Sequence, residues 1–169
     1  MSVAVSRRSL FARFRGGPAQ QRPPWSRSDA LFTDNCSQCG KCIEACPTGL
    51  ITSGHAGYPI VDFTNSACTF CGACHQACND DCFDPDATQA WALKAIISQA
   101  CVETKGVACR VCEDICETAA IRFRPALGGR SSPEIKSNDC TGCGACVAVC
   151  PVSAITVTSD ETFAQEDTT

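Results

Sequence analysis

Three stretches of the chain repeat one cysteine spacing: CSQCGKCIEAC at 36–46, CTFCGACHQAC at 68–78 and CTGCGACVAVC at 140–150, each with gaps of two, two and three residues. A fourth, CVETKGVACRVCEDIC at 101–116, keeps the last two gaps and stretches the first to seven. Together they place 16 of the 17 cysteines and leave Cys82 outside. Large side chains cannot supply the interior, because Leu, Ile, Val and Phe number only 32 of 169 residues and the apolar fraction is swollen by 22 alanines and the cysteines. A domain this short of apolar area is stabilised by disulfides or metal.

The spacing discriminates between those two. A tight loop with a ligand at every third position points three sulfurs at one object, and a cubane iron-sulfur cluster presents such an object. The fourth cysteine lies past a short helical turn and points elsewhere, so in two-cluster proteins it ligates the other cluster of a pair. Gly40, Gly72, Ala73, Gly142, Gly144 and Ala145 let the loop backbone approach the sulfides. Pro47 and Pro151 supply the proline that closes the bacterial pattern, whereas Asn79 and Glu117 stand at that place in the other two motifs. A disulfide framework fits poorly with an odd cysteine count and strict periodicity. Zinc needs fewer thiols than four such repeats offer.

Motifs that come in pairs divide the chain into two similar halves. Between the fourth cysteine of one motif and the first of the next lie 21 residues in the first pair and 23 in the second. Each intervening segment reads as two short strands, GLITSG and YPIVDF around His55–Gly57, then AAIRFRP and PEIK around Gly128 and Gly129, and SAITVTS at 153–159 reads as a closing strand. Between the halves, Ala90, Leu93, Ile96 and Ile97 recur at helical spacing behind a potential cap at Asp86, which predicts a linking helix with Trp91 as a packing residue. The expected fold is α+β: two tandem two-cluster ferredoxin-like 4Fe-4S units with short strands and helices, joined by a helix, with a basic N-terminal arm. The expected boundaries are a poorly ordered arm at 1–30, a first unit at 31–86, the linking helix at 87–100, a second unit at 101–158 and an acidic tail at 159–169.

Charge sharpens the picture of the arm. Arg7, Arg8, Arg13, Arg15, Arg22 and Arg27 stand without an acid in residues 1–28, while the remainder holds 8 basic and 18 acidic side chains. An acidic body without interleaved basic and aromatic residues disfavours nucleic acid as a partner. With Phe11, Phe14 and Trp25 the arm forms a cationic, partly apolar strip suited to an acidic patch on a protein. The SRRSLF stretch at 6–11 approaches a twin-arginine export address. Export also requires an apolar stretch of roughly 7–15 residues, and here Arg13, Arg15, Gly16, Gly17 and Pro18 interrupt it. The expectation is an uncleaved cytoplasmic protein without a transmembrane segment.

The paired motifs resemble bacterial two-cluster ferredoxins. Taken with SRR near the start, RPPW at 22–25, AWAL in the link and the stretched third motif, the chain resembles the NapF family, ferredoxin-type accessory proteins of the periplasmic nitrate reductase system. The resemblance spans residues 6 to about 158. It implies a protein that meets the nitrate reductase catalytic subunit in the cytoplasm before export and helps its iron-sulfur centre mature; the alternative is an electron carrier or electron-transfer subunit. Catalysis is not expected, since no nucleotide or flavin glycine fingerprint appears and the motif cysteines are committed to metal. Four 4Fe-4S clusters are expected as cofactors. Cys36, Cys39, Cys42 and Cys78 would hold the first, Cys68, Cys71, Cys74 and Cys46 the second, Cys101, Cys109, Cys112 and Cys150 the third, and Cys140, Cys143, Cys146 and Cys116 the fourth. The seven-residue insertion releases the third site's first ligand from the tight loop; the expectation is that it only reshapes the surface of an ordinary cluster, the alternative being a more exposed iron or a more labile cluster. Cys82 is expected to be an unligated thiol, and neither His55 nor His75 needs a metal role.

Overall fold

The computed structural model describes residues 21–126, 128 and 130–159. Its helices are short: α1 (Asp29–Asn35), α2 (Lys41–Glu44), α3 (Ala73–Gln76), α4 (Val111–Asp114) and α5 (Ala145–Ala148). Helices α2 to α5 are single turns, and each carries the third cysteine of a motif on its buried side, namely Cys42, Cys74, Cys112 and Cys146. The fourth cysteine follows each turn, as the spacing predicts. A one-turn helix has little stability of its own, so these turns depend on what their cysteines pack against.

Strands β1 (Ile51–Ser53) and β2 (Pro59–Val61) pair antiparallel between the first two motifs, with Ile51 opposite Val61. Strands β4 (Ile121–Ala126) and β5 (Arg130–Ile135) do the same between the last two, with Ile121 opposite Ile135. Both hairpins and the closing strand β6 (Ile155–Ser159) fall where the sequence predicts them.

The linking helix does not form. Residues 93–97 are strand β3 (Leu93–Ile97), paired antiparallel along its whole length with β6, Leu93 opposite Ser159 and Ile97 opposite Ile155. Positions 93, 96 and 97 suit a helical stripe, and positions 93, 95 and 97 suit one face of a strand. What decides is that β6 offers a complete hydrogen-bonding partner, and burial then alternates, with Leu93 and Ala95 inside and Lys94 and Ile96 less so. Adjacent β-branched Ile96 and Ile97 favour the strand as well. Residues 93–97 are thereby joined to the sheet of the second unit, where the sequence predicts a linking helix.

The arm also differs from expectation. Residues 1–20 lie outside the described residues, but 21–30 belong to the first unit. Val61 N–H donates to Gln21 O at 2.9 Å, Trp25 N–H to Ala90 O at 2.6 Å and Arg27 N–H to Cys82 O at 3.0 Å. Pro23 and Pro24 are buried. Arg22 pairs with Asp29 at 2.6 Å and lies over the rings of Phe32 and Tyr58, and Arg27 pairs with Asp81 at 2.8 Å. Two of the six arginines are thereby engaged within the fold. Helix α1 then drops Phe32 into the core at 1% exposure, edge-on to Phe83. The acidic tail after Ser159 lies outside the described residues.

Each unit has its own core. The first gathers Phe32, Leu50, Ile51, Val61 and Phe83 around Cys42, Cys74 and Cys82; the second gathers Ala95, Ile121, Phe123 and Ile155 around Cys112 and Cys146. The cysteines are core members in both, which explains how a chain so poor in large apolar residues has an interior.

Candidate metal centre

Backbone conformation aims the sulfurs. After the first cysteine of motifs one, two and four, Gln38, Phe70 and Gly142 take φ of 60°, 54° and 72°; after the second, Gly40, Gly72 and Gly144 take 76°, 75° and 81°. Two left-handed residues per loop curl the chain so that its N–H groups face inward. Gln38 N–H and Phe70 N–H accordingly donate to the sulfurs of Cys36 and Cys68, both at 3.4 Å. A left-handed glycine is also tolerated far better than a side chain there.

The fourth cysteines cross over. An apolar pocket under Trp25 brings Cys46 of the first motif to Cys68, Cys71 and Cys74 of the second. A matching pocket in the other unit brings Cys150 of the fourth motif to Cys101, Cys109 and Cys112 of the third. Cys78 reaches back to the first motif, close enough to raise the Cys42 thiol together with Cys36. Cys116 lies in the second core with Cys140 and Cys146. It repeats the surroundings of Cys46 closely: Cys46 and Cys116 each lie 3.6 Å from a threonine hydroxyl two residues on, Thr48 and Thr118.

Chain and family comparisons agree with this geometry. Residues 35–83 and 105–154 each match the family described as a 4Fe-4S dicluster domain. The chain is 46% identical over 157 residues to the ferredoxin-type protein NapF of Escherichia coli K12, covering 92% of this chain and 96% of the relative. It belongs to the ferredoxin-type NapF family. The NapF protein of Haemophilus influenzae is 43% identical over 136 residues, covering 80% of this chain and 77% of that one. The NapG ferredoxin-type protein of the same organism is 30% identical over 151 residues, covering 76% of this chain and 54% of that one.

The donor set in this NapF-family chain suits iron-sulfur clusters. Burial pushes the Cys42, Cys68 and Cys112 thiols up to about 11 and the Cys74 and Cys146 thiols up to about 12, with neighbouring sulfurs adding to the effect. So many desolvated thiols crowded together become thiolates only against a concentrated positive charge, which iron supplies. At Cys46 and Cys116 burial acts the same way but is outweighed. The backbone N–H groups of Ile51 and Ile121 and the hydroxyls of Thr48 and Thr118 hold these two thiols below the ordinary range. Cys46 and Cys116, two of the four cysteines that cross over, thus sit in ready-made anion nests. The signal for this was present in the sequence as a threonine two residues after each, in CPT and CET, and sequence reasoning overlooked it.

The stretched third motif keeps its first cysteine inside. Cys101 is buried at 9% exposure, whereas Cys36, Cys68 and Cys140 at the same motif position are half-buried. The insertion folds inward as a turn at Glu103–Lys105, and the Glu103 carboxylate, 6% exposed, accepts the Cys109 N–H at 2.5 Å. This carboxylate takes over the fixing role that the left-handed loop has elsewhere; Arg110, at the place of Gly40, has φ of −124°. Cys82 is fully buried beside Cys36 and Cys78, and burial pushes its thiol far up. Cys78, Asp80 and Cys82 offer ligand atoms within 4.8 Å of one another. His75 stacks on Phe83, and His55 lies in the β1–β2 turn. Trp91 packs edge-on against Phe63 and Phe70, the packing role expected of it. Among the described residues no helix is long and apolar enough to cross a membrane.

Proposed function

We propose that the chain holds four 4Fe-4S clusters and assists maturation of the catalytic subunit of a periplasmic nitrate reductase in the cytoplasm, before that subunit's export. The observation that carries the cluster reading is the pair of apolar pockets in which three thiols of one motif meet the fourth thiol of another. On this reading Cys36, Cys39, Cys42 and Cys78 ligate the first cluster and Cys46, Cys68, Cys71 and Cys74 the second. Cys101, Cys109, Cys112 and Cys150 ligate the third, and Cys116, Cys140, Cys143 and Cys146 the fourth. Such clusters, when bound, accept and give single electrons at potentials tuned by hydrogen bonds and burial. The chain's part is to point the sulfurs inward, to donate N–H groups to them and to exclude water with Trp25, Pro24 and the valines around Cys101. We read the protein as non-catalytic, because the motif cysteines are spent on metal. Support for the nitrate reductase assignment comes from family membership alone.

Electron transfer is a second reading, favoured by the close contact between the two units described below. A deletion strain separates the two. Nitrate reductase activity that stays lost with an artificial electron donor supports maturation; activity restored by that donor overturns it in favour of a carrier. Iron analysis and Mössbauer spectra of anaerobically reconstituted protein test the cofactor count, and fewer than four clusters at full loading would refute it.

A further inference from the structure

The two units do not hang from a linker; the first grips the loop of the fourth motif. Cys68 N–H, on a proposed ligand of the second site, donates to Cys143 O, on a proposed ligand of the fourth, at 2.8 Å. Trp91 Nε1–H donates to Thr141 O at 3.0 Å and Lys94 Nζ to Cys140 O at 2.7 Å. Gly144 is buried in this contact, and its neighbour Gly142 is buried against β3. A Cβ on Gly142 would lie 2.4 Å from Leu93 O, and one on Gly144 would lie 1.9 Å from the Phe63 ring. Only bare backbone fits there. Thr141, Cys143 and Gly144 of the fourth motif therefore lie against the first unit or the segment leading out of it, while Cys140 and Gly142 lie against β3 of their own unit. Phe63, Trp91, Phe70 and Trp25 form a continuous edge-to-face series that ends over the second site's pocket.

Among the described residues the pocket of the third motif is lined by its own unit, including Val102, Val111, Val149, Val152 and Ile97. The arrangement is thus directional. Second and fourth sites face each other across the contact, and first and third sites lie at the two ends.

We propose that Phe63, Trp91 and the Cys68–Cys143 peptide contact weld the second and fourth sites into one electron-exchanging pair, so that the four sites form a single series in the order first, second, fourth, third. This rests on the four-cluster reading above. The exchange itself is a one-electron step with no proton or bond change: the reduced second site is oxidised as the oxidised fourth site is reduced, after a low-potential one-electron donor has supplied the electron. A direct hydrogen bond between Cys68 and Cys143 leaves no room for solvent between these two peptide groups, each carried by a proposed ligand.

The test compares paramagnetic resonance of the full chain, reduced with dithionite, with that of Phe63→Ala/Trp91→Ala and of the milder Trp91→Leu. Iron per chain and the 4Fe-4S absorbance are measured first. Fewer than four clusters in the parent chain means that the four-cluster reading has failed, and the series falls with it. At full loading the parent should show magnetic interaction beyond that within each dicluster unit, seen as extra broadening and faster spin relaxation. Both variants should lose that extra part and keep the interaction within units. An unchanged spectrum in a fully loaded variant, or a parent spectrum equal to two independent diclusters, overturns the proposal. If the double variant loses iron from the fourth site, Trp91→Leu decides by the same criterion, and the parent spectrum is decisive without either.

Discussion

The two units carry the same motif pair and close it in different ways. In the second, β3 and β6 form a ladder of five residue pairs that ties the start of the unit to its end. In the first, the equivalent join is a single bridge between Ser26 and Phe83. The missing ladder is replaced by side chains: α1 inserts Phe32 against Phe83, Arg22 caps the ring of Phe32, and Ser37 holds Asp80 through its backbone N–H at 3.1 Å and its hydroxyl at 2.5 Å. The hydroxyl and N–H of Ser37 keep the Asp80 carboxyl below its usual range. Sulfur geometry is fixed by the loops, and the rest of the unit has only to bring two loops together. A ladder and an aromatic cluster serve that purpose equally.

The largest expected effect breaks what the units share. Cys46→Ala should empty the second site while the first keeps its cluster, and Cys116→Ala should do the same to the fourth site with the third retained. Iron analysis with paramagnetic resonance reads this, and damage confined to the mutated motif's own site would refute the crossing. Next come the two closures. Phe32→Ala removes the first unit's substitute for a ladder and should cost about 3–5 kcal/mol, against about 2–5 kcal/mol for Ile155→Ala in the second. In anaerobic denaturant titrations each should lower the midpoint of its own unit more than that of the other.

A smaller effect probes the one motif that departs from the repeat. Glu103→Ala leaves the Cys109 N–H without its acceptor at a cost of about 1–3 kcal/mol, and should speed loss of the third cluster on exposure to oxygen. Glu103→Gln, which can still accept, should restore most of the parent rate. Equal rates for parent and Glu103→Ala would show that the carboxylate does not fix this loop. Smallest of all, Cys82→Ala should leave iron content and spectra unchanged, since the first site has its four thiols without it; loss of the first cluster would make Cys82 a ligand.

The repeat, the hairpins and the inward curl of the loops were legible in the sequence because each depends on residues close in the chain. Cysteines at fixed gaps, glycines after the second cysteine and paired β-rich segments say nearly the same thing in isolation as in the fold. The threonines after Cys46 and Cys116 were equally local, and went unread. Three other features depended on distant residues. Leu93 to Ile97 fit a helix or a strand until β6 supplied sixty residues later the hydrogen bonds that a strand requires. Residues 21–30, basic and proline-rich, look like a solvated arm until Asp29, Asp81 and the backbone of Cys82 and Ala90 neutralise and pair them. The fit of Leu93 over Gly142 and of Phe63 over Gly144 has no local signature, because a glycine needed for a left-handed turn looks the same in sequence as one needed to let another segment come close. Spacing fixes which atoms can meet within a loop; only the packing of whole segments fixes which loops meet each other.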